Sequence, residues 1–162
     1  TPVLWRGPII AGTVKQFYSD IIWGNIDYMF IDCPPGTGDV PLTIFQSIPI
    51  DGVVVVTTPQ DLVSVIVGKA VHMADSMNIP VIGMIENMSY FICPDCNNKH
   101  YIFGKSQLEQ VIRDLYIGHA IRLPINPSLA GLMDRGEIEH MEANADLQEF
   151  ADLISTFDPD KY

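Results

Sequence analysis

The chain has 162 residues, 48% hydrophobic and 18% charged, with a formal net charge of −11. That composition is globular and excludes a disordered segment, and a negative balance without a basic stripe argues against nucleic acid or an anionic membrane as partner. No apolar run reaches the roughly 18 residues of a spanning helix, and no signal peptide is read, so a cytoplasmic protein is expected.

The chain opens at Thr1, and Trp5, Arg6, Gly7 and Pro8 read as the continuation of an earlier segment, so a fragment or a processed chain is expected. Val14, Phe17, Tyr18, Ile21 and Ile22 recur at helical spacing, which predicts a helix over Thr13 to Trp23 stopped by Gly24 and Asn25. Tyr28 to Ile31 then run without a charge and end at Asp32, with Pro34, Pro35, Gly36 and Gly38 close behind. A short apolar run bounded in this way predicts a strand buried on both faces of a parallel sheet, terminated by the prolines. Asp32 would then stand at the carboxyl end of a central strand, where open α/β sheets bind their ligands. A carboxylate there commonly holds Mg²⁺ beside a nucleotide phosphate. The plain alternative is a cap on the loop or on the next helix.

Val40 to Ile48 predicts a short helix, and Gly52 to Thr58 a second buried strand of β-branched residues. Asp61 is the expected N-cap of a helix with Val63, Ile66, Val67, Ala70, Met73, Ala74 and Met77 on one face. Met73 and Met77 read as core. Pro80 to Asn87 predicts a third buried strand, followed by an irregular segment from Met88 to Gly104. A helix from about Ser106 to Leu115, a weaker strand at Ala120 to Ile125, and helices at Ser128 to Arg135 and Asn144 to Phe157 complete the chain. Strands alternating with helices predict βαβ units, hence an α/β fold with a parallel sheet flanked by helices. One domain over residues 1–162 is expected, with residues 88–104 as a cysteine-bearing insertion.

Three predicted strand ends put polar residues on one edge: Asp32, Thr57 with Thr58, and Glu86 with Asn87. Such convergence describes a ligand crevice. Gly36-Thr37-Gly38 lets backbone amides approach an anion, a weak signal because turns need glycine anyway. The sequence holds no Gly-x-x-x-x-Gly-Lys-Ser/Thr phosphate loop. A nucleophile elbow of the Gly-x-Ser-x-Gly kind is missing too.

Cys93-Pro94-Asp95-Cys96 is the second constellation, two thiolates that one tight turn can bring to a single metal. Two sulfurs complete neither a zinc site nor a cluster. Either Cys33 and His100 finish the site within the chain, or a second chain supplies two more thiolates. His100 is close enough in sequence to be considered for Zn²⁺, whereas Cys33 reads as core. A redox dithiol is a further alternative, although such pairs open a helix, and a structural disulfide does not suit a cytoplasmic chain. His72, His119 and His140 read as structural or surface residues.

Asp27 to Asp39, Thr57-Thr58-Pro59-Gln60, Glu86-Asn87-Met88-Ser89-Tyr90, Cys93-Pro94-Asp95-Cys96 and Phe103-Gly104 occur in a specific order and spacing. In this combination the chain resembles the Mrp-type iron–sulfur cluster carrier ATPases from about Val3 to Gly136. These are relatives of the nitrogenase iron protein and of MinD, in the deviant Walker A class of P-loop NTPases. The resemblance implies an ATP-binding and ATP-hydrolysing homodimer that carries a transient [4Fe–4S] cluster to apo iron–sulfur proteins. Cys93 and Cys96 of each subunit would supply its four thiolates. It further implies that Asp32 is the acid near Mg²⁺, that Pro34, Pro35 and Gly36 form the switch loop sensing the γ-phosphate, and that Asn87 recognises adenine. Leu123-Pro124-Ile125 resembles the loop that closes on the base, and Asn126 stands where many relatives have Asp.

In that family the P-loop and the central first strand lie N-terminal to everything in this sequence, so a partial P-loop NTPase domain is expected. The strands ending at Asp32 and Thr58, which flank that first strand, should leave a gap in the sheet or pair directly. The 162-residue chain alone is then expected not to turn over ATP. Two other readings are a zinc-binding interaction module held by Cys93, Cys96 and His100, and a MinD-like positioning ATPase. The latter gives Cys93 and Cys96 no purpose and lacks its basic amphipathic membrane helix.

Overall fold

The computed structural model describes residues 7–141 and 144–161. Trp5 and Arg6, and the side chains of Pro8, Asp61 and Val63, lie outside what it describes. In chain order come α1 (Gly7–Ser19), α2 (Asp39–Ser47), β1 (Val53–Thr57), α3 (Asp61–Ser76), β2 (Val81–Ile92) and β3 (Lys99–His100). They are followed by α4 (Leu108–Asp114), β4 (Ala120–Pro124), α5 (Pro127–Arg135) and α6 (Ala145–Ser155), with 3₁₀ turns at Ile138–His140 and Pro159–Lys161.

β2 organises the sheet. β1 pairs with it in parallel from Val53 opposite Val81 to Thr57 opposite Glu86. β4 pairs in parallel on its other side, with Glu86 opposite Arg122 and Tyr90 opposite Pro124. Helices α3 and α4 make the two crossovers that parallel neighbours require. Successive strand residues face opposite sides, so Met84 and Val55 join Val67 and Val71 of α3, Leu108 of α4 and Ile117 in one buried cluster. Burial of each such side chain stabilises the fold by roughly 1.5–3 kcal/mol. Gly83, the neighbour of Met84, faces the other side. A Cβ there would lie 2.8 Å from Phe150 Cε2 and 2.9 Å from the His119 carbonyl oxygen. Glycine is what lets α6 lie against the sheet, and Phe150 is buried there at 4% exposure. With helices on both faces, the expected α/β class is present.

Four local expectations are corrected. The first helix begins earlier and ends earlier than Thr13 to Trp23, spanning Gly7–Ser19, so Ile21 and Ile22 lie beyond it. The strand expected from Tyr28 to Asp32 is not a strand: the segment is irregular, with Tyr28 at 56% and Phe30 at 75% exposure. An apolar run becomes a buried strand only where neighbours pair with it on both sides. Among the described residues β1 pairs with β2 alone, so the expected direct pairing is absent and, with no strand at Tyr28 to Asp32 to stand across a gap, β1 is an open edge. Its exposure shows at Val56, 64% accessible. Third, Gln60 rather than Asp61 is the N-cap of α3. Fourth, Met88 to Gly104 is not irregular throughout, because β2 runs on to Ile92 and pairs antiparallel with β3, Phe91 opposite His100.

Candidate functional site

At the carboxyl edge of the sheet the parallel registers set Thr57, Glu86 and Arg122 side by side. Glu86 is 3% exposed. Its carboxylate accepts from the Ser89 hydroxyl at 2.6 Å and from the Ser106 hydroxyl at 2.9 Å, and Arg122 Nε lies 3.8 Å away. Arg122 donates from Nε to Ser106 Oγ at 3.2 Å, and a terminal guanidinium nitrogen donates to Glu109 at 2.8 Å. A buried carboxylate is tolerated when it is hydrogen-bonded and paired, and Glu86 is both. Below it Thr57, Thr58, Pro59, Gln60, Met84 and Gln107 help to line a cavity of about 20 Å³, room for about one water.

Asn87, next along β2, is exposed and turns its Oδ1 to accept from the Met88 backbone N–H at 2.8 Å. That contact closes a kink in which Met88 adopts φ 54°, a left-handed conformation costly for an unbranched L-residue. Beyond the kink, Ile125 N–H donates to the Tyr90 carbonyl at 2.7 Å, tying the segment after β4 to the upper part of β2. Pro124 is half-buried at the end of β4. Asn126 has a plain structural duty as the N-cap of α5, accepting from Ser128 and Leu129 N–H. An aspartate would cap equally well, so the departure at this position carries no loss of structure.

Asp32 does not stand at the end of a central strand. It lies on the exposed segment with Pro34 and Pro35, and half-buried Gly36 takes φ 88° in the turn before α2. Neither these residues nor Asn87 line the edge cavity, and the hydrogen-bonded cluster of Glu86, Ser89, Ser106 and Arg122 includes neither Asp32 nor Asn87. Cys33 is half-buried, and burial first, then the Asp32 charge, pushes its thiol above the ordinary range.

The β2–β3 hairpin carries the other cysteines. Asn97 N–H donates to the Cys93 carbonyl at 2.9 Å and Cys93 N–H to the Asn98 carbonyl at 3.0 Å, with Asn97 at φ 56° making the turn. Inside this knuckle the backbone N–H of Cys96, then that of Asp95, then the Cys96 thiol hold the Cys93 thiol below its usual range, because donors aimed at sulfur favour the thiolate. Cys93, Cys96 and His100 bring their donor atoms within 4.8 Å of one another. Cys33 is not part of this group, and, half-buried on the irregular segment, it does not join the buried core expected for it either. Lys99 sits on the same hairpin with Nζ 4.2 Å from the centre of the Tyr90 ring.

Sequence reasoning missed the polar cluster around Glu86. Ser106 and Arg122 lie 20 and 36 positions along the chain from it, and only strand register brings them together. The Ser89-Tyr90-Phe91-Ile92 run, β-prone and aromatic, was the available signal for the longer β2.

A family model described as ParA, the NUBPL iron-transfer P-loop NTPase, matches residues 1–157. The chain belongs to this family. Among curated relatives, an iron–sulfur cluster carrier protein of Methanocaldococcus jannaschii is 48% identical over 137 residues, covering 84% of this chain and 47% of the relative. One from Methanococcus maripaludis is 40% identical over 158 residues, covering 96% of this chain and 54% of the relative. A solved nucleotide-binding protein of Archaeoglobus fulgidus, described in complex with ADP and with cobalt found, is 38% identical with a TM-score of 0.76. The match covers 93% of this chain and 58% of that one. This NUBPL-type chain thus spans about half the length of the curated relatives it matches. Among its described residues, no helix is long and apolar enough to cross a membrane.

Proposed function

We propose that this chain contributes the cluster ligands and the switch segment of an ATP-dependent iron–sulfur carrier. The cluster is cargo: a [4Fe–4S] unit held by four thiolates, Cys93 and Cys96 from each of two copies, and passed to apo iron–sulfur proteins by thiolate exchange. The observation that carries this reading is the hairpin tip, where two cysteines share one knuckle with Cys96 exposed. A second copy can approach such a tip, and two sulfurs per chain match half a cluster. The names of the relatives support the same cargo.

ATP with Mg²⁺ is proposed for the architecture shared with the full-length relatives, and the ADP complex of the Archaeoglobus fulgidus protein supports nucleotide as ligand. Asp32 would lie near Mg²⁺, Pro34, Pro35 and Gly36 would follow the γ-phosphate, and Asn87 and Pro124 would meet the base. The edge cavity of about 20 Å³ is far below the roughly 300 Å³ of a small-molecule pocket, so the base would rest on the open edge, where exposed Asn87 stands. Nucleotide-driven movement of the loop after Asp32 would then alter how two chains face each other.

Anaerobic reconstitution with iron and sulfide tests the cargo. A brown product with about four irons per two chains, dimeric by sizing and lost in Cys93→Ser or Cys96→Ser, is expected. Protein that emerges without iron or sulfide would refute the carrier reading.

A further inference from the structure

The parallel sheet ends on β1 at one side and on β4 at the other, and among the described residues each pairs with β2 alone. The resemblance places the family's first strand beside β1, which leaves β4 to be accounted for. Met84 N–H donates to the His119 carbonyl at 2.9 Å. In a parallel ladder alternate residues turn their main chain to a given neighbour. His119 and Ile121 therefore serve β2, and the N–H and C=O groups of Ala120 and Arg122 point away from it.

Ala120, Ile121 and Arg122 all line a groove of about 380 Å³. Side chains of consecutive strand residues face opposite sides, so what the three share with one groove is the edge itself. Ala120 and Arg122, opposite Met84 and Glu86, are on the α4 side, and Ile121 is on the α6 side. Leu108 and Ile112 of α4 form one wall of the groove, and Asp146 and Glu149 of α6 form the other.

We propose that β4 is a docking edge for an extended segment of a partner protein in which basic side chains alternate with aliphatic ones. Unpaired strand N–H and C=O groups template another strand. Strand addition takes its affinity from main-chain bonds and its specificity from alternate side chains. An added strand has a period of two, so one of its faces meets Leu108 and Ile112 and the other meets Asp146 and Glu149. The first calls for Val, Ile or Leu, the second for Lys or Arg. Both acids are exposed, and neither has an ion pair among the described residues. The two cations at the groove are already engaged, Arg122 with Glu109 at 2.8 Å and Lys99 with the Tyr90 ring at 4.2 Å. The net charge of −11 adds a long-range attraction for a basic partner. The same charge opposes a second copy, whose own β4 would bring another Asp146 and Glu149 to the groove. The inference goes beyond the carrier reading and does not depend on it, since it uses neither the cysteines nor the switch segment.

The test is titration of the 162-residue chain with a labelled, end-blocked peptide alternating Lys and Val, read by fluorescence anisotropy and by amide hydrogen exchange. Saturable binding of one peptide per chain is expected, with exchange of the Ala120 and Arg122 N–H groups slowed about tenfold or more. A peptide of the same composition with its Lys and Val in two blocks, and one alternating Glu and Val, should each bind about tenfold more weakly or worse. Asp146→Asn with Glu149→Lys should weaken the alternating Lys and Val peptide about tenfold. The exchange reading on the parent chain stands whatever that variant does to α6. Unchanged exchange at Ala120 and Arg122, equal binding of the block or the Glu peptide, or no saturation up to about 1 mM would overturn the proposal. A dimer of the peptide-free chain that protects the same two amides would give the edge to a second copy and overturn it too.

Discussion

Arg122→Met tests whether the polar cluster under the carboxyl edge holds this part of the sheet together. Glu86, at 3% exposure, keeps only the Ser89 and Ser106 hydroxyls once the guanidinium is gone. Stranding one member of a buried ion pair costs about 3–5 kcal/mol in fully enclosed cases. Here the cost is smaller, because Arg122 Nε is 3.8 Å from the carboxylate and its side chain is 35% exposed, so water reaches one side of the pair. We expect about 2 kcal/mol, equivalent to roughly 4–8 °C in Tm for a domain of this size. Loss of the Glu109 partner is a separate and minor matter, since Glu109 is 67% exposed and such pairs contribute under about 1 kcal/mol. Glu109→Gln is therefore the control. The assay is urea unfolding of Arg122→Met, Glu86→Gln and the double variant, at constant m-value. Glu86→Gln removes the charge that Arg122 neutralises, so the double variant should fall short of the sum by about 1 kcal/mol or more. A cost below about 0.5 kcal/mol for Arg122→Met, or strict additivity, would refute the reasoning.

The other predictions concern packing, capping and cargo. Gly83→Val should cost about 1–3 kcal/mol of overpacking, because its Cβ meets both the Phe150 ring and the immovable His119 carbonyl. Thermal unfolding reads the loss, and Phe150→Leu should restore only part of it. Asn126→Ala should cost about 1 kcal/mol through loss of the α5 cap, and Asn126→Asp about nothing; equal losses in the two would show that capping is not the role. Cys33→Ser should leave iron and sulfide loading at the parental level, since Cys33 stands apart from the hairpin group, and a drop in iron content would contradict that placement.

Where the sequence was legible, local chemistry and tertiary context agreed. The β-branched run at Val53 to Val56 and the helical spacing of apolar residues after Asp61 each name their element, and β1 and α3 are found there. Tyr28 to Ile31 has the same local grammar and fails, because a strand buried on two faces needs partners the run cannot supply for itself. Cys93 and Cys96 were legible as a pair from spacing. That His100 joins them depends on the antiparallel register of β3, a strand of two residues. Glu86 was read as a strand-end polar residue, and its burial was invisible because Ser106 and Arg122 come from two later elements.

One strand therefore connects the two halves of the proposed chemistry. β2 leaves the core at Met84, passes Glu86 and Asn87 at the edge, and delivers the chain to Cys93. Seven residue steps separate Glu86 from Cys93, at most about 23 Å for extended chain. Along that path the backbone departs from regular strand geometry at Met88, and the contacts that bracket it are those of Asn87 with Met88 and of Ser89 with Glu86. In the proposed carrier, a ligand on Asn87 competes directly with the Met88 N–H for the amide oxygen. Binding the base would thus relax one side of the kink while the buried Glu86–Ser89 bond holds the other. In that proposal a change of φ at Met88, near the base of the hairpin, would swing its tip and so would couple nucleotide occupancy to cysteine placement without repacking the core.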